Sequence, residues 1–295
     1  MIKQTLMFTS PVSLSLKDQQ MVVTFKDNQD TVTRPIEDIG FVIIANPMVS
    51  ITVPLLNELA DNNVSVIFCD KKQMPRTMLM TLEGNTTQQE SYKYQIDASA
   101  PTKKNIWKQL VESKIKNQAL LLNKVGKNGD VLKQYYMNVK SGDTDNREGA
   151  AAREYWCRIF DEGFRREREG LPPNNLLNYG YTILRAAVAR ALIGSGLYPA
   201  FGVFHRNRYN AFPLADDVME PYRPFVDELV YHLYHDEAIT ELDNPSKGKI
   251  LRVLFSDVKM GKVMRPLENA LSLTTASLVK MYKGETDKLS LPVIT

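Results

Sequence analysis

The chain has 295 residues, of which 43% are hydrophobic and 24% charged, with a formal net charge of +3; that is enough apolar material for one large core or two ordinary ones, and it excludes a disordered chain. Two cysteines, Cys69 and Cys157, exclude a disulfide framework or a thiolate zinc cluster, and both read as small core hydrophobes. No run approaches the roughly 18 to 20 consecutive apolar residues of a membrane span, so a soluble, cytoplasmic protein with no membrane partner is expected.

The first 75 residues alternate as short strands do. Residues 13–16 and 21–25 form a hairpin pattern, with Asp27-Asn28 as turn chemistry further on. The runs 40–44 and 64–68 are rich in β-branched residues, and between them residues 53–60 look helical and stop at Asn62-Asn63. Residues 1–80 are therefore expected to be a small strand-rich domain, and the polar stretch 81–100 a linker. From about residue 101 the apolar period becomes helical: Ile106, Leu110, Ile115, Leu120 and Leu121 form a stripe in a lysine-bearing segment. A loop over 141–145 ends in helix-capping residues. Residues 174–193 then place Leu177, Ile183, Leu184, Ala187, Val188, Ala191 and Leu192 on one broad apolar face that Gly194 or Gly196 can end. The fold class expected is α+β, with an all-helical C-terminal domain over 101–295.

Charge is unevenly distributed along this plan. Residues 1–95 balance at −2, residues 96–210 at +8 and residues 211–295 at −3, a pattern that lets one face attract a polyanion or else marks a solvated helical surface.

Three segments carry possible chemistry. On a helix, Glu148 shares a face with Ala152, Tyr155 and Ile159, so it points to the apolar side unless it serves as a solvated first-turn carboxylate; Gly149 and the alanines at 150–152 keep its surroundings slim. His205 lies in a donor-rich loop with Arg206, Asn207, Arg208 and Asn210, suited to phosphate oxygens, although a lone histidine also serves as an ordinary hydrogen-bonded loop residue. Asp217 and Glu220 fall at i, i+3, where two carboxylates repel unless they are solvated or a cation lies near; Pro221 and Pro224 suggest a bent helix start. If Glu148, His205 and Glu220 converge, they form a plausible ligand set for Mn²⁺ or Mg²⁺, and one into which zinc fits less well. A phosphate loop and a Gly-x-Ser-x-Gly nucleophile elbow are both missing, and His232 and His235 read as surface residues near a helix end.

Four motifs in order, Asn146-Arg147-Glu148-Gly149-Ala150-Ala151-Ala152, Asn178-Tyr179-Gly180-Tyr181-Thr182-Ile183-Leu184, Phe204-His205-Arg206 and Asp217-Val218-Met219-Glu220-Pro221-Tyr222-Arg223-Pro224, resemble the CRISPR-associated integrase family, the larger of the two universal adaptation proteins. The resemblance covers nearly the whole chain and is strongest to members from type II systems. It implies Glu148, His205 and Glu220 as ligands of a divalent metal, Mg²⁺ or Mn²⁺. Many members carry aspartate at the third position, and glutamate keeps the charge while lengthening the arm. It also implies Asp217 and Asn178 as supporting residues and Arg223 as a basic residue placed to contact phosphate.

The reaction implied is transesterification, in which the 3′-hydroxyl of a captured DNA fragment attacks a phosphodiester at the edge of a CRISPR repeat. Arg147, Arg153, Arg206 and Arg208 stand beside the ligands in sequence and are the candidates for gripping phosphates. The implied partners are DNA, a second copy of the chain, the small second adaptation protein and, from the type II likeness, an effector nuclease and an accessory adaptation protein. A hydrolytic metallonuclease without joining activity and a non-catalytic DNA-binding protein are the competing readings.

Overall fold

The computed structural model describes residues 3–27, 30–81, 83–160, 163–205 and 207–295, and it divides into two compact units, Met1–Gly84 and Asn85–Thr295. The first contains β1 (Gln4–Phe8), β2 (Val12–Lys17), β3 (Gln20–Phe25), β4 (Thr31–Pro35), β5 (Ile39–Ile44), β6 (Ser50–Ile51), α1 (Val53–Asp61), β7 (Ser65–Cys69) and β8 (Pro75–Leu79). β2 and β3 form a hairpin closed by Asp18-Gln19, both at positive φ, as a two-residue turn between right-twisted strands requires. One four-stranded sheet runs β4-β3-β2-β6, and the other runs β1-β5-β7-β8 with β1, β5 and β7 parallel. Strand β5 is buried along its whole length, which is why Ile-Gly-Phe-Val-Ile-Ile reads as a continuous apolar run. The core between these elements comes from alternate residues of β2 and β3 with Leu55 and Leu59 of α1. Asn28, half of the turn expected at Asp27-Asn28, lies outside the described residues.

The second unit contains α2 (Gln88–Asp97), α3 (Ala100–Lys124), α4 (Lys133–Tyr136), α5 (Arg147–Ile159), α6 (Asn174–Gly194), α7 (Pro213–Met219), α8 (Arg223–His235), α9 (Asn244–Ile250), β9 (Asp257–Met260), β10 (Val263–Pro266), α10 (Leu267–Lys283) and β11 (Pro292–Val293). Ser99 caps α3 by accepting from the Thr102 amide. α3 runs along α5 and α8 and beside the 3-10 turn Glu220–Tyr222 that joins α7 to α8. α6 packs against α7, α8, α9 and α10. Where α6 meets α8, a Cβ on Gly180 would stand 2.5 Å from Val226 Cγ1, so the close approach of the two helices depends on glycine.

Three expectations are corrected. The stretch 81–100 is not a plain linker, because α2 lies within it. That helix escapes the apolar period because it docks through polar groups: Gln95 Nε2 donates to the carbonyls of Tyr198 (2.9 Å) and Phe201 (3.2 Å), and its Oε1 accepts from Tyr198 N (3.0 Å). The C-terminal unit is mostly helical and also holds a small antiparallel sheet, β10-β9-β11, whose short strands carry exposed charged residues and so resemble loop. Cys157 is exposed, since α5 buries Ala151, Tyr155 and Ile159 and residue 157 falls off that face; Cys69 is half-buried. Among the described residues no helix is long and apolar enough to cross a membrane.

Candidate functional site

Glu148 stands in the first turn of α5. Asn146 caps that helix by accepting from Gly149 N (3.1 Å), and Asp143 accepts from the amides of Arg147 (2.8 Å) and Glu148 (3.1 Å), so two side chains fix the start of the helix and with it the direction of Glu148. The carboxylate turns inward to Lys114 of α3, whose Nζ lies 2.5 Å from Glu148 Oε1. The same nitrogen lies 2.5 Å from Oε2 of Glu220, on the 3-10 turn. Glu220 is almost wholly buried, and its other oxygen accepts from Arg223 Nε at 2.8 Å. Burial would push the Glu220 carboxyl up, but Arg223 and Lys114 outweigh it and hold the pKa well below the ordinary value. Burial acts to lower the Lys114 pKa, and the charges of Glu220 and Glu148 overcome it, so the ammonium stays charged.

His205 is set by Asp217, which is fully buried. Its Oδ2 accepts from the amides of Val203 (2.7 Å) and Phe204 (3.1 Å), and its Oδ1 accepts from the His205 amide (3.2 Å) and contacts His205 Nδ1 at 2.6 Å. The chain thus folds around one carboxylate, and this turn leaves no room for a side chain at residue 202: a Cβ there would meet His205 O at 2.7 Å and Pro213 Cβ at 2.9 Å. The Asp217 hydrogen bond raises the His205 pKa against partial burial, and the charges of Asp217, Glu220 and Glu148 add to it. When Nδ1–H is donated to Asp217, the neutral ring presents its Nε2 lone pair, the arrangement in which a carboxylate orients a metal-binding imidazole. The far end of the same loop is tied down by Arg185, whose Nε lies 2.6 Å from Asp216 Oδ1 and whose Nη2 donates to Asn210 Oδ1 at 2.5 Å.

A cleft of about 400 Å³ is lined by Lys114, Glu148, Glu220, Arg223, Asn178, Tyr181, Asp227 and the segment 166–168. Asn178 does not touch the two glutamates; it accepts from Arg166 Nη2 (2.7 Å) and donates to the Arg168 carbonyl (2.7 Å), which holds the arginine-bearing segment at the rim. Arg166 also lies over the rings of Tyr181 and Trp156. Asp227, buried in the wall, accepts from Tyr155 Oη (2.9 Å) and from Tyr181 Oη, and burial pushes its pKa up to about 6 despite those two bonds.

The structure therefore brings Glu148 and Glu220 together on one nitrogen and puts His205 within electrostatic reach of both. As placed, no three His, Cys, Asp or Glu side chains among the described residues stand close enough to hold a metal ion. The donor set nonetheless fits a hard divalent cation. A unit positive charge already bridges the two carboxylates, and the buried Glu220 Oε2 faces only that charge, the Lys114 ammonium at 2.5 Å. Arg223 is engaged with Glu220 and lies over Tyr181, so its side chain braces a candidate ligand. Arg153 and Arg208 are exposed, Arg147 is half-buried beside Asp145, and Arg206 lies outside the described residues. Lys114, Arg166 and Asp227 escaped the sequence reading. The signal for Lys114 was its place in the α3 stripe, one turn beyond Leu110 and two beyond Trp107, where an unpaired lysine is costly.

The model for the family "CRISPR associated protein Cas1" matches residues 6–269. The chain is 35% identical to the CRISPR-associated endonuclease Cas1 of Neisseria meningitidis, over 99% of this chain and 96% of that protein. Among solved structures it resembles a casposase bound to its integration product, with TM-score 0.81 at 20% identity over 98% of this chain and 93% of that one. It also resembles a chain of a Cas6-RT-Cas1–Cas2 complex, with TM-score 0.74 at 20% identity over 98% of this chain and 36% of that one. At such identities these two likenesses concern the fold.

Proposed function

This chain is a member of the CRISPR associated protein Cas1 family, and we propose that it is a divalent-metal-dependent DNA integrase of CRISPR adaptation with endonuclease activity. The observation that carries the reading is the convergence of Glu148 and Glu220, from separate elements, on a single cationic position, with an imidazole oriented by Asp217 in electrostatic reach of both carboxylates. Glu148, Glu220 and His205 would hold Mg²⁺ or Mn²⁺, which when bound supplies Lewis-acid polarisation of a phosphodiester oxygen and neutralises charge in the transition state. In the reaction the 3′-hydroxyl oxygen of a captured DNA fragment bonds to phosphorus as the existing P–O3′ bond breaks. The number of ester bonds is conserved and no covalent enzyme intermediate is needed.

The protein's own residues position the DNA. Arg168 at the rim, braced by Asn178 and Arg166, and the exposed Arg153 and Arg208 offer guanidinium groups to phosphates and read no bases. Arg147 lies in the first turn of α5 beside Glu148 and belongs to the same set. Arg223 and Asp217 hold Glu220 and His205 at fixed angles, so little reorganisation is required at the moment of reaction. The joined-product structure of the casposase and the Cas1–Cas2 assembly support DNA and the small second adaptation protein as partners. A homodimer and type II partners are implied only by the family resemblance.

The test mixes a labelled DNA fragment, a repeat-bearing plasmid, the small adaptation protein and Mn²⁺ or Mg²⁺. Glu148→Ala, His205→Ala and Glu220→Ala are each expected to abolish joining while leaving DNA binding largely intact. Degradation without joining would favour a hydrolytic nuclease, and full joining by all three variants would leave only a structural DNA-binding role.

A further inference from the structure

Lys114 is a buried cation at the centre of the carboxylate pair, contributed by a helix that holds no other group of the ligand set. Its presence balances the cluster: Lys114 and Arg223 carry two positive charges against the two negative charges of Glu148 and Glu220. Without the ammonium, two carboxylates that now approach one nitrogen to 2.5 Å each would repel across a poorly solvated gap. A divalent ion bound by the same oxygens needs the space that the ammonium fills, and both cations cannot occupy it.

The two contacts of Lys114 are equally short, 2.5 Å to Glu148 Oε1 and 2.5 Å to Glu220 Oε2, so one ammonium is shared between the carboxylates. The lysine stem has four rotatable bonds, and the residue lines the cleft, so the head has somewhere to go while α3 stays fixed.

We propose that Lys114 is a displaceable counter-cation, which holds Glu148 and Glu220 in place before metal binds and swings from between them into the cleft, toward a DNA phosphate, when a divalent cation enters. This rests on the reading of Glu148 and Glu220 as cation ligands. A neutral cluster thereby becomes one with two net positive charges, which adds a local attraction for a scissile phosphate to the DNA binding that the arginines supply.

The experiment is Mn²⁺ titration of the full chain by calorimetry, for the wild type, Lys114→Met, Lys114→Gln and the doubly substituted Glu148→Gln/Glu220→Gln, with thermal melts in chelator and in Mn²⁺. Removing a competing unit charge at this distance is expected to tighten Mn²⁺ binding about tenfold or more in both lysine variants. Their melting temperatures should fall below wild type in chelator and recover with Mn²⁺. If a lysine variant fails to fold in chelator, the other variant and refolding in Mn²⁺ supply the affinity. Equal or weaker Mn²⁺ binding by the lysine variants, at a site the double glutamine variant abolishes, overturns the inference and leaves the metal site standing. Unchanged Mn²⁺ binding by the double glutamine variant overturns both.

Discussion

Replacing Asp217 with alanine should release the loop that carries His205. The carboxylate accepts three backbone N–H bonds, at 2.7, 3.1 and 3.2 Å, and the His205 Nδ1 contact at 2.6 Å, all from a fully buried position. Bonds to a charged acceptor are worth about 1.5 to 3 kcal/mol each, so losing even two of them takes roughly 3 kcal/mol or more from the free energy of opening this turn. Read as amide hydrogen exchange, that is about a hundredfold loss of protection at Val203, Phe204 and His205. Asp217→Asn separates charge from shape. Its amide oxygen can serve one pair of donors, but its NH₂ then faces the other pair, so roughly half of the loss should remain. Exchange rates at these three amides within about threefold of wild type in Asp217→Ala would refute the assignment of Asp217 as the anchor of the loop.

Asp227 makes stability depend on pH in a stated direction. Its folded pKa of about 6 exceeds the unfolded value near 3.8, so its contribution is fully present below about pH 4 and is lost as pH rises through 6. The wild-type stability minus that of Asp227→Asn should fall by about 3 kcal/mol between pH 4 and 7, measured by urea denaturation; a flat difference would contradict this. Gly202→Ala places a methyl 2.7 Å from His205 O and 3.1 Å from Asp217 Oδ2, so it should cost about 1 to 3 kcal/mol and slow joining; unchanged melting would show that the turn yields freely. Arg153→Ala and Arg208→Ala should each weaken DNA binding uniformly across sequences and reduce the salt slope by about one, and an unaltered slope would remove that arginine from the interface.

Much of the fold could be read along the chain because its burial is periodic. Strand β5, with both faces covered, is a continuous apolar run, and α3 and α6 bury faces with helical spacing. α2 was hidden because its buried residues are the polar Ser91 and Gln95, and Gln95 holds it by hydrogen bonds rather than by an apolar stripe. Within the site, the face of Glu148 on α5 left an inward and a solvated direction open, as the spacing of Asp217 and Glu220 left open solvation or a nearby cation. The structure shows the inward direction for Glu148, and Asp217 and Glu220 as buried, partnered carboxylates. Their partners differ: Asp217 is met by three backbone amides and an imidazole, Glu220 by Lys114 and Arg223. Those pairings join residues far apart in the chain, and spacing carries no information about them. Lys114 was visible only as a charge at a core position.

The most direct test of the cation site is a crystal grown in Mn²⁺ and measured at the manganese absorption edge. An anomalous peak within coordination range of the Glu148 and Glu220 carboxylates and of His205 Nε2, with Lys114 turned away, is the predicted result. Lys114 still bridging the two glutamates in a Mn²⁺-saturated crystal, with the anomalous signal elsewhere on the molecule, would contradict it.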